Sequence, residues 1–276
     1  MSERMRGFER DTLSAAWHGQ RVWLTHVFAN LALVAVFYGW LLIPDRRGWQ
    51  VAGTFLVGLA WLTFALWLHA ATFQYFAAAH TAPESWTMSW RRSARNIPAF
   101  AICVAIYAVV IWLFCLRLDY NAQLSGWFHH LLPGPIRSRI SVRTLTAISR
   151  WKTAIFFWFF VPLYFVPFLR EGAVRGFGAF TRGWVSAARS FWRLRFWILY
   201  ALLFLVGAGV PYKLATMKPH SGSVISQALN MVLRLGAAYL LAITAFIVLA
   251  SAVGRLRRNE APSAAEPVPI DTAPKV

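Results

Sequence analysis

Acidic side chains are scarce in this chain, which sets ten Asp and Glu against 28 Lys and Arg in 276 residues. All ten lie outside its long apolar runs. Proton- and cation-coupled carriers commonly keep a carboxylate at membrane depth to bind or relay the ion, so that mechanism is disfavoured. Carriers built on unwound backbone or neutral side chains stay open. Cysteine is scarcer still: Cys103 and Cys115 share one apolar run. A helix would hold them about 18 Å apart along its axis, beyond disulfide reach. The chain also has no P-loop, no GxSxG elbow, no HExxH, no dinucleotide glycine pattern and no close carboxylate pair for acid/base work. Charged residues are 14% of the chain, against about 25% in soluble domains.

Apolar and aromatic residues take their place. The hydrophobic fraction is 58%, with 15 Trp and 22 Phe, and mean hydropathy is +0.50. Six runs come near the roughly 20 residues that cross a bilayer: 22–43, 51–77, 98–116, 151–169, 194–213 and 229–252. This predicts an all-α polytopic integral membrane protein. A polar segment, 1–21, precedes the transmembrane domain 22–252. The tail 253–276 contains APSAAEPVPIDTAPKV, too poor in apolar surface to fold. The first run ends in Pro44-Asp45-Arg46-Arg47 without a small-residue cleavage site, which reads as a retained anchor rather than a signal peptide. The fourth, IFFWFFVPLYFVPFL, contains Pro162 and Pro167. Proline frees backbone carbonyls, so a kinked helix is expected, packed on neighbours that satisfy them.

A net charge of +18 first suggests nucleic acid. The arginines, however, lie between the apolar runs, where the positive-inside bias and anionic lipid explain them without a nucleic acid. Lys and Arg number 17 in the N-terminal segment, the loops 78–97 and 170–195 and the tail together, against 10 in the three opposing loops. Both termini are therefore expected in the cytoplasm. Trp23 at the inner end of the first span, and Tyr38 and Trp40 at the outer end, suit interfacial anchors. The composition suits a bacterial cytoplasmic membrane.

Two of the inner loops resemble each other. Thr87-Met88-Ser89-Trp90 leads to Ala94-Arg95, and 94 residues later Thr181-Arg182-Gly183-Trp184 leads to Ala188-Arg189. The same offset lays the second span on the fourth and the third on the fifth, the pattern of a parallel internal repeat. At about 100° per residue, Trp86 and Trp90 share a face from which Arg91, Arg92 and Arg95 point away. In the second loop Arg175, Arg182, Arg189 and Arg193 form one stripe opposite Phe177, Phe180, Trp184 and Phe191. Two cytoplasmic interfacial amphipathic helices are expected, rings toward the membrane and guanidinium groups toward anionic lipid. Gly176, Gly178 and Gly183 weaken the helix in the second.

Within the spans, His26 and Asn30 lie one turn apart on the first, and His69 and Thr72 are near neighbours on the second. Facing histidines on adjacent helices can ligate haem b axially. Interhelical hydrogen bonding explains them equally well. Arg234 is the one full charge more than a residue inside the ends of a span, near its outer end, and could form an anion site or snorkel to the head groups. His129-His130 lacks a third ligand nearby, so no metal site is expected.

These observations leave three readings. The first is a non-catalytic scaffold or accessory subunit that engages anionic lipid through Trp86, Trp90, Arg91, Arg92, Arg95, Arg182, Trp184, Arg189 and Arg193, with a membrane-protein partner or a second copy of itself. The second is a transport component lined by His26, Asn30, His69 and Thr72 and by the proline-bent fourth span. The third is a haem carrier using His26 and His69.

Overall fold

The computed structural model describes residues 3–44, 46–79, 85–217 and 223–256, and no strand occurs among them. Six helical stretches are long and apolar enough to cross a membrane: Gln20–Leu41, Gly48–Ala78, Ile97–Leu116, Val142–Phe191, Leu194–Thr216 and Val224–Leu256. They carry α2 (Gln20–Leu41), α3 (Gly48–Ala79), α5 (Ile97–Asp119), α8 (Val142–Ile155) running into α9 (Val161–Arg175), α11 (Leu194–Phe204) running into α12 (Val210–Thr216), and α13 (Val224–Leu256). Short helices lie between and before them: α1 (Glu3–His18), α4 (Trp86–Ala94), α6 (Asn121–Leu131), α7 (Gly134–Arg137) and α10 (Trp184–Phe191).

The long helices alternate in direction. Early α2 meets late α3 where His26 bonds Thr72, early α5 meets late α9 where Asn96 bonds the Ala173 carbonyl, and early α11 meets late α13 where Arg193 bonds the Leu256 carbonyl. The start of α2 and the end of α13 thus share one face, the terminal face, with α1, α4 and α10. The opposite far face carries α6, α7, the end of α12 and the start of α13.

Two proline positions explain the irregular helices. A five-residue π-helical segment, Phe156–Phe160, precedes Val161-Pro162, and another, Leu205–Gly209, precedes Val210-Pro211. Proline has no N–H for the carbonyl four residues back, and its ring collides with that carbonyl. Opening the helix by one residue relieves both problems. The carbonyl freed by Pro162 is that of Trp158, and it accepts the Tyr200 hydroxyl from α11 at 3.1 Å. The fourth span is therefore irregular at Pro162 and satisfied there by a neighbour. It also begins earlier than the apolar run suggests: Ser141 caps Val142, its side chain accepting the Thr144 N–H. At Gly207 the backbone of the fifth span comes so close to α13 that a Cβ would lie 2.4 Å from Ala245 Cβ.

Packing is concentrated toward the terminal face. The buried residues of α2 are Val22, His26, Ala29 and Leu33, and those of α13 run from Ala238 to Leu256, leaving its first fourteen positions without one. Val253, Gly254 and Leu256 are buried in the last described turn of α13. The unfolded tail expected beyond it lies outside the described residues. The polar N-terminal segment folds as α1 and docks on α13. Trp23 Nε1 donates to the Ala16 carbonyl at 2.9 Å, Ser251 Oγ to the Thr12 carbonyl at 3.1 Å, and Arg255 pairs with Asp11.

Candidate functional site

On α4 the two tryptophans turn onto the protein. The Trp90 ring meets Trp67 with centroids 4.8 Å apart, and Trp67 Nε1 donates to the Trp90 carbonyl at 2.9 Å. Trp86 packs edge-on against Tyr75, and its Nε1 donates to Thr25 Oγ1 at 3.0 Å. Ser89 and Ser93 are fully buried between them, small enough to let α4 lie flat on α3. Ser85 caps the helix, accepting the Met88 N–H. With its ring face occupied, α4 leaves Arg91, Arg92 and Arg95 exposed.

The second loop repeats part of this arrangement. Trp184 stacks on Phe168 with centroids 4.0 Å apart, and the Tyr164 hydroxyl donates to the Trp184 carbonyl at 3.4 Å. Gly183 and Ala187, exactly 94 positions after Ser89 and Ser93, are buried in the same way, and Arg182 and Arg189 are exposed. In both loops the tryptophan rings rest on a span of the same chain, while Phe177 is exposed. An aromatic side chain from the incoming span reaches the carbonyl of Trp90 and that of Trp184, and Trp86 is held by Thr25.

The single arginine stripe expected over 175–193 is broken. Gly176 has φ +59°, and a Cβ there would lie 2.7 Å from Asn96 Oδ1. The chain then passes through a 3-10 turn, Gly176–Gly178, and a π-helical turn, Ala179–Gly183, before α10. Arg175 is thereby left on α9, where its Nε lies 3.1 Å from Glu171 Oε2. Arg193 is half-buried, and its guanidinium donates to the Leu256 carbonyl at 2.8 Å, placing a cation at the C-terminus of α13 where the helix dipole favours one.

Sequence reasoning missed the ionic knot formed by Arg170, Glu171 and Arg175. Arg170 and Glu171 are 4% and 1% exposed and in direct contact. Gly183 covers the pair so closely that a Cβ there would stand 3.2 Å from Glu171 Cβ. Asn96 Nδ2 donates to the Ala173 carbonyl at 2.9 Å one turn away. A signal was present in the sequence: an Arg-Glu pair with a second Arg four residues on, directly after an apolar run. Assigning the acid to a solvated loop hid it.

The polar residues of the first two spans come together between α2, α3 and α13. The Thr72 hydroxyl donates to the Leu68 carbonyl at 2.9 Å, so its contact of 2.8 Å with His26 Nε2 is one that His26 donates. His69 Nδ1 donates to the Ala65 carbonyl at 2.7 Å. The two imidazoles stand edge to face with centroids 5.7 Å apart, and Phe246 packs against both. Tyr239 on α13 donates to the His26 carbonyl at 3.2 Å, and Asn30 reaches the same hydroxyl. An axial haem pair needs two lone pairs aimed at each other across a flat slot. Here His26 Nε2 is a donor to Thr72, and the Phe246 ring packs beside both imidazoles.

On the far face, His129 Nε2 donates to the Ile140 carbonyl at 2.9 Å, and no cluster of three or more metal-ligating side chains occurs among the described residues. Arg234 lies on α13, its guanidinium donating to the Met217 carbonyl at 3.0 Å.

By helix length and composition the chain is a multi-pass, all-helical membrane protein. No protein-family model, curated protein or solved structure matches it.

Proposed function

We propose that this protein is a non-catalytic membrane scaffold or accessory subunit whose terminal face lies in the cytoplasm and engages anionic lipid. Arg91, Arg92, Arg95, Arg182 and Arg189 form the engaging layer, and Trp86, Trp90 and Trp184 seat it on the bundle. The observation that carries the reading is the orientation of α4 and α10: each docks its aromatic face on a span and holds its arginines exposed. A guanidinium on a fixed helix loses little freedom when it meets a phosphate. Each basic residue near an anionic surface contributes on the order of 1 kcal/mol. The exposed side chains of Phe177, Val185 and Trp192 beside the arginines suit the boundary between head groups and acyl chains.

The matched burial at 89/183 and 93/187 supports reading the two units as a parallel repeat, which would place two similar basic patches on one membrane surface. A transport path through His26, Asn30, His69 and Thr72 is less favoured, because His26 and Thr72 are closed against each other and almost fully buried.

The test is thermal unfolding in mixed micelles of phosphatidylcholine and phosphatidylglycerol. Phosphatidylglycerol is expected to raise the melting temperature of the native chain by several degrees. Replacing Arg91, Arg95, Arg182 and Arg189 together with Gln should abolish that rise while leaving the value in phosphatidylcholine unchanged. An undiminished rise in the variant refutes the proposal.

A further inference from the structure

On the far face, α12 and α13 enclose a cavity of about 420 Å³. Three of its lining residues, Gln227, Asn230 and Arg234, fall within about 60° of one another on α13. Met231 and Leu235 form the neighbouring apolar stripe, and Leu214 of α12 closes the opposite wall. Among the described residues, Arg234 is the only charged one that lines the cavity. The sequence carries no Asp or Glu between Glu171 and Glu260, so neither helix brings an acid to this site.

The depth of the site follows from the length of α13. Its 33 residues extend about 50 Å, against roughly 30 Å of hydrocarbon. With its last turn packed beneath α1 at one surface, the first turns must project from the other. Arg234, about 15 Å below Val224, then lies where the hydrocarbon begins, with Asn230 and Gln227 rising through the head-group layer. Met217, Met231 and Leu235 beside them are exposed. The site thus offers a cation and two amides at head-group depth, and apolar side chains that continue toward the acyl region.

We infer that this cavity binds a phosphate-bearing lipid of the leaflet opposite the terminal face. Its phosphate meets the Arg234 guanidinium, the polar head group beyond the phosphate meets Asn230 and Gln227, and an acyl chain runs inward along Leu235. The Met217 carbonyl sets the orientation of the guanidinium. A planar fork that accepts two phosphate oxygens at once suits this ligand better than a lysine would. The inference rests on the chain crossing a membrane, but not on lipid binding by the terminal face.

Native mass spectrometry of the full chain, titrated with dioleoyl phosphatidylglycerol in detergent, tests it. The native chain should retain one phosphatidylglycerol that survives replacement of Arg91, Arg95, Arg182 and Arg189 by Gln. Arg234→Gln should weaken that lipid about tenfold, the effect of losing one charge-assisted contact. The double variant Gln227→Leu/Asn230→Leu keeps the charge and should weaken it several-fold, which serves if Arg234→Gln does not fold. Unchanged retention in either variant overturns the inference. So does complete displacement of the lipid by inorganic phosphate, which would mark a site for a soluble anion. Loss of this lipid in the four-arginine variant would assign it to the terminal face and overturn the inference too.

Discussion

The two halves of the bundle are built differently. Toward the terminal face the spans close on one another: Phe76, Phe168, Phe196, Leu68 and Ile247 are fully buried, and even His26 and Glu171 are sealed from the surroundings. Toward the far face the same helices show their side chains to the outside, with Phe55 and Trp112 at 74% and 59% exposure and Ile225 at 80%. Inside a bilayer an apolar side chain gains nothing from hiding from lipid, so helices associate through close packing and polar contacts instead. The terminal half has both, in small residues such as Gly172, Gly183, Ser89 and Ala70 and in the ionic knot. The far half has few, and its helices need only be long and apolar. The specificity of the fold therefore resides in the half that also carries the arginine layer.

That contrast predicts a gradient of mutational cost, measured as unfolding in detergent. The largest effect should come from the knot. Arg170→Met leaves the Glu171 carboxylate buried without its adjacent guanidinium, and breaking such a pair costs about 3–5 kcal/mol. The double change Arg170→Met/Glu171→Leu should recover much of this, since a packed apolar pair replaces the ions. A cost of Arg170→Met as small as that of an exposed-site change would remove the knot from the account. Next comes Phe76→Ala, which opens a cavity in the terminal half and should cost about 3 kcal/mol. Tyr200→Phe should cost about 1 kcal/mol, because only the Trp158 carbonyl loses its partner. Smallest is Phe55→Ala in the far half, expected within about 0.5 kcal/mol of the native chain. Equal costs for Phe76→Ala and Phe55→Ala would erase the distinction between the halves.

The long elements were legible in the sequence because hydrocarbon thickness sets a length that composition reveals. All six spans occur where the apolar runs lie, and the ends differ by several residues where caps decide them, as at Ser141. The irregular turn at Pro162 was legible for a similar reason: a missing N–H frees a carbonyl wherever it occurs. What the sequence concealed depends on tertiary contact. The periodicity of Trp86, Trp90 and Trp184 shows that their rings share a face, yet that face could meet lipid or protein, and only Trp67 and Tyr164 decide it. Glu171 reads as a loop acid until Gly183 and Asn96 fold over it. The polar residues of α1 gave no sign that α13 would receive them through Ser251. His26 and His69 were expected on adjacent helices and stand edge to face, whereas the bond from His26 to Thr72 depends on tertiary contact.

Both the basic layer and the packed half beneath it are tested most directly by the lipid selectivity of the reconstituted chain. Spin-labelled phosphatidylglycerol and phosphatidylcholine, compared in phosphatidylcholine bilayers at low and high salt, report the relative association of each lipid with the protein surface. The account predicts a preference for phosphatidylglycerol that falls with salt and is largely lost when Arg91, Arg95, Arg182 and Arg189 become Gln. A preference of the same size in that variant would contradict it.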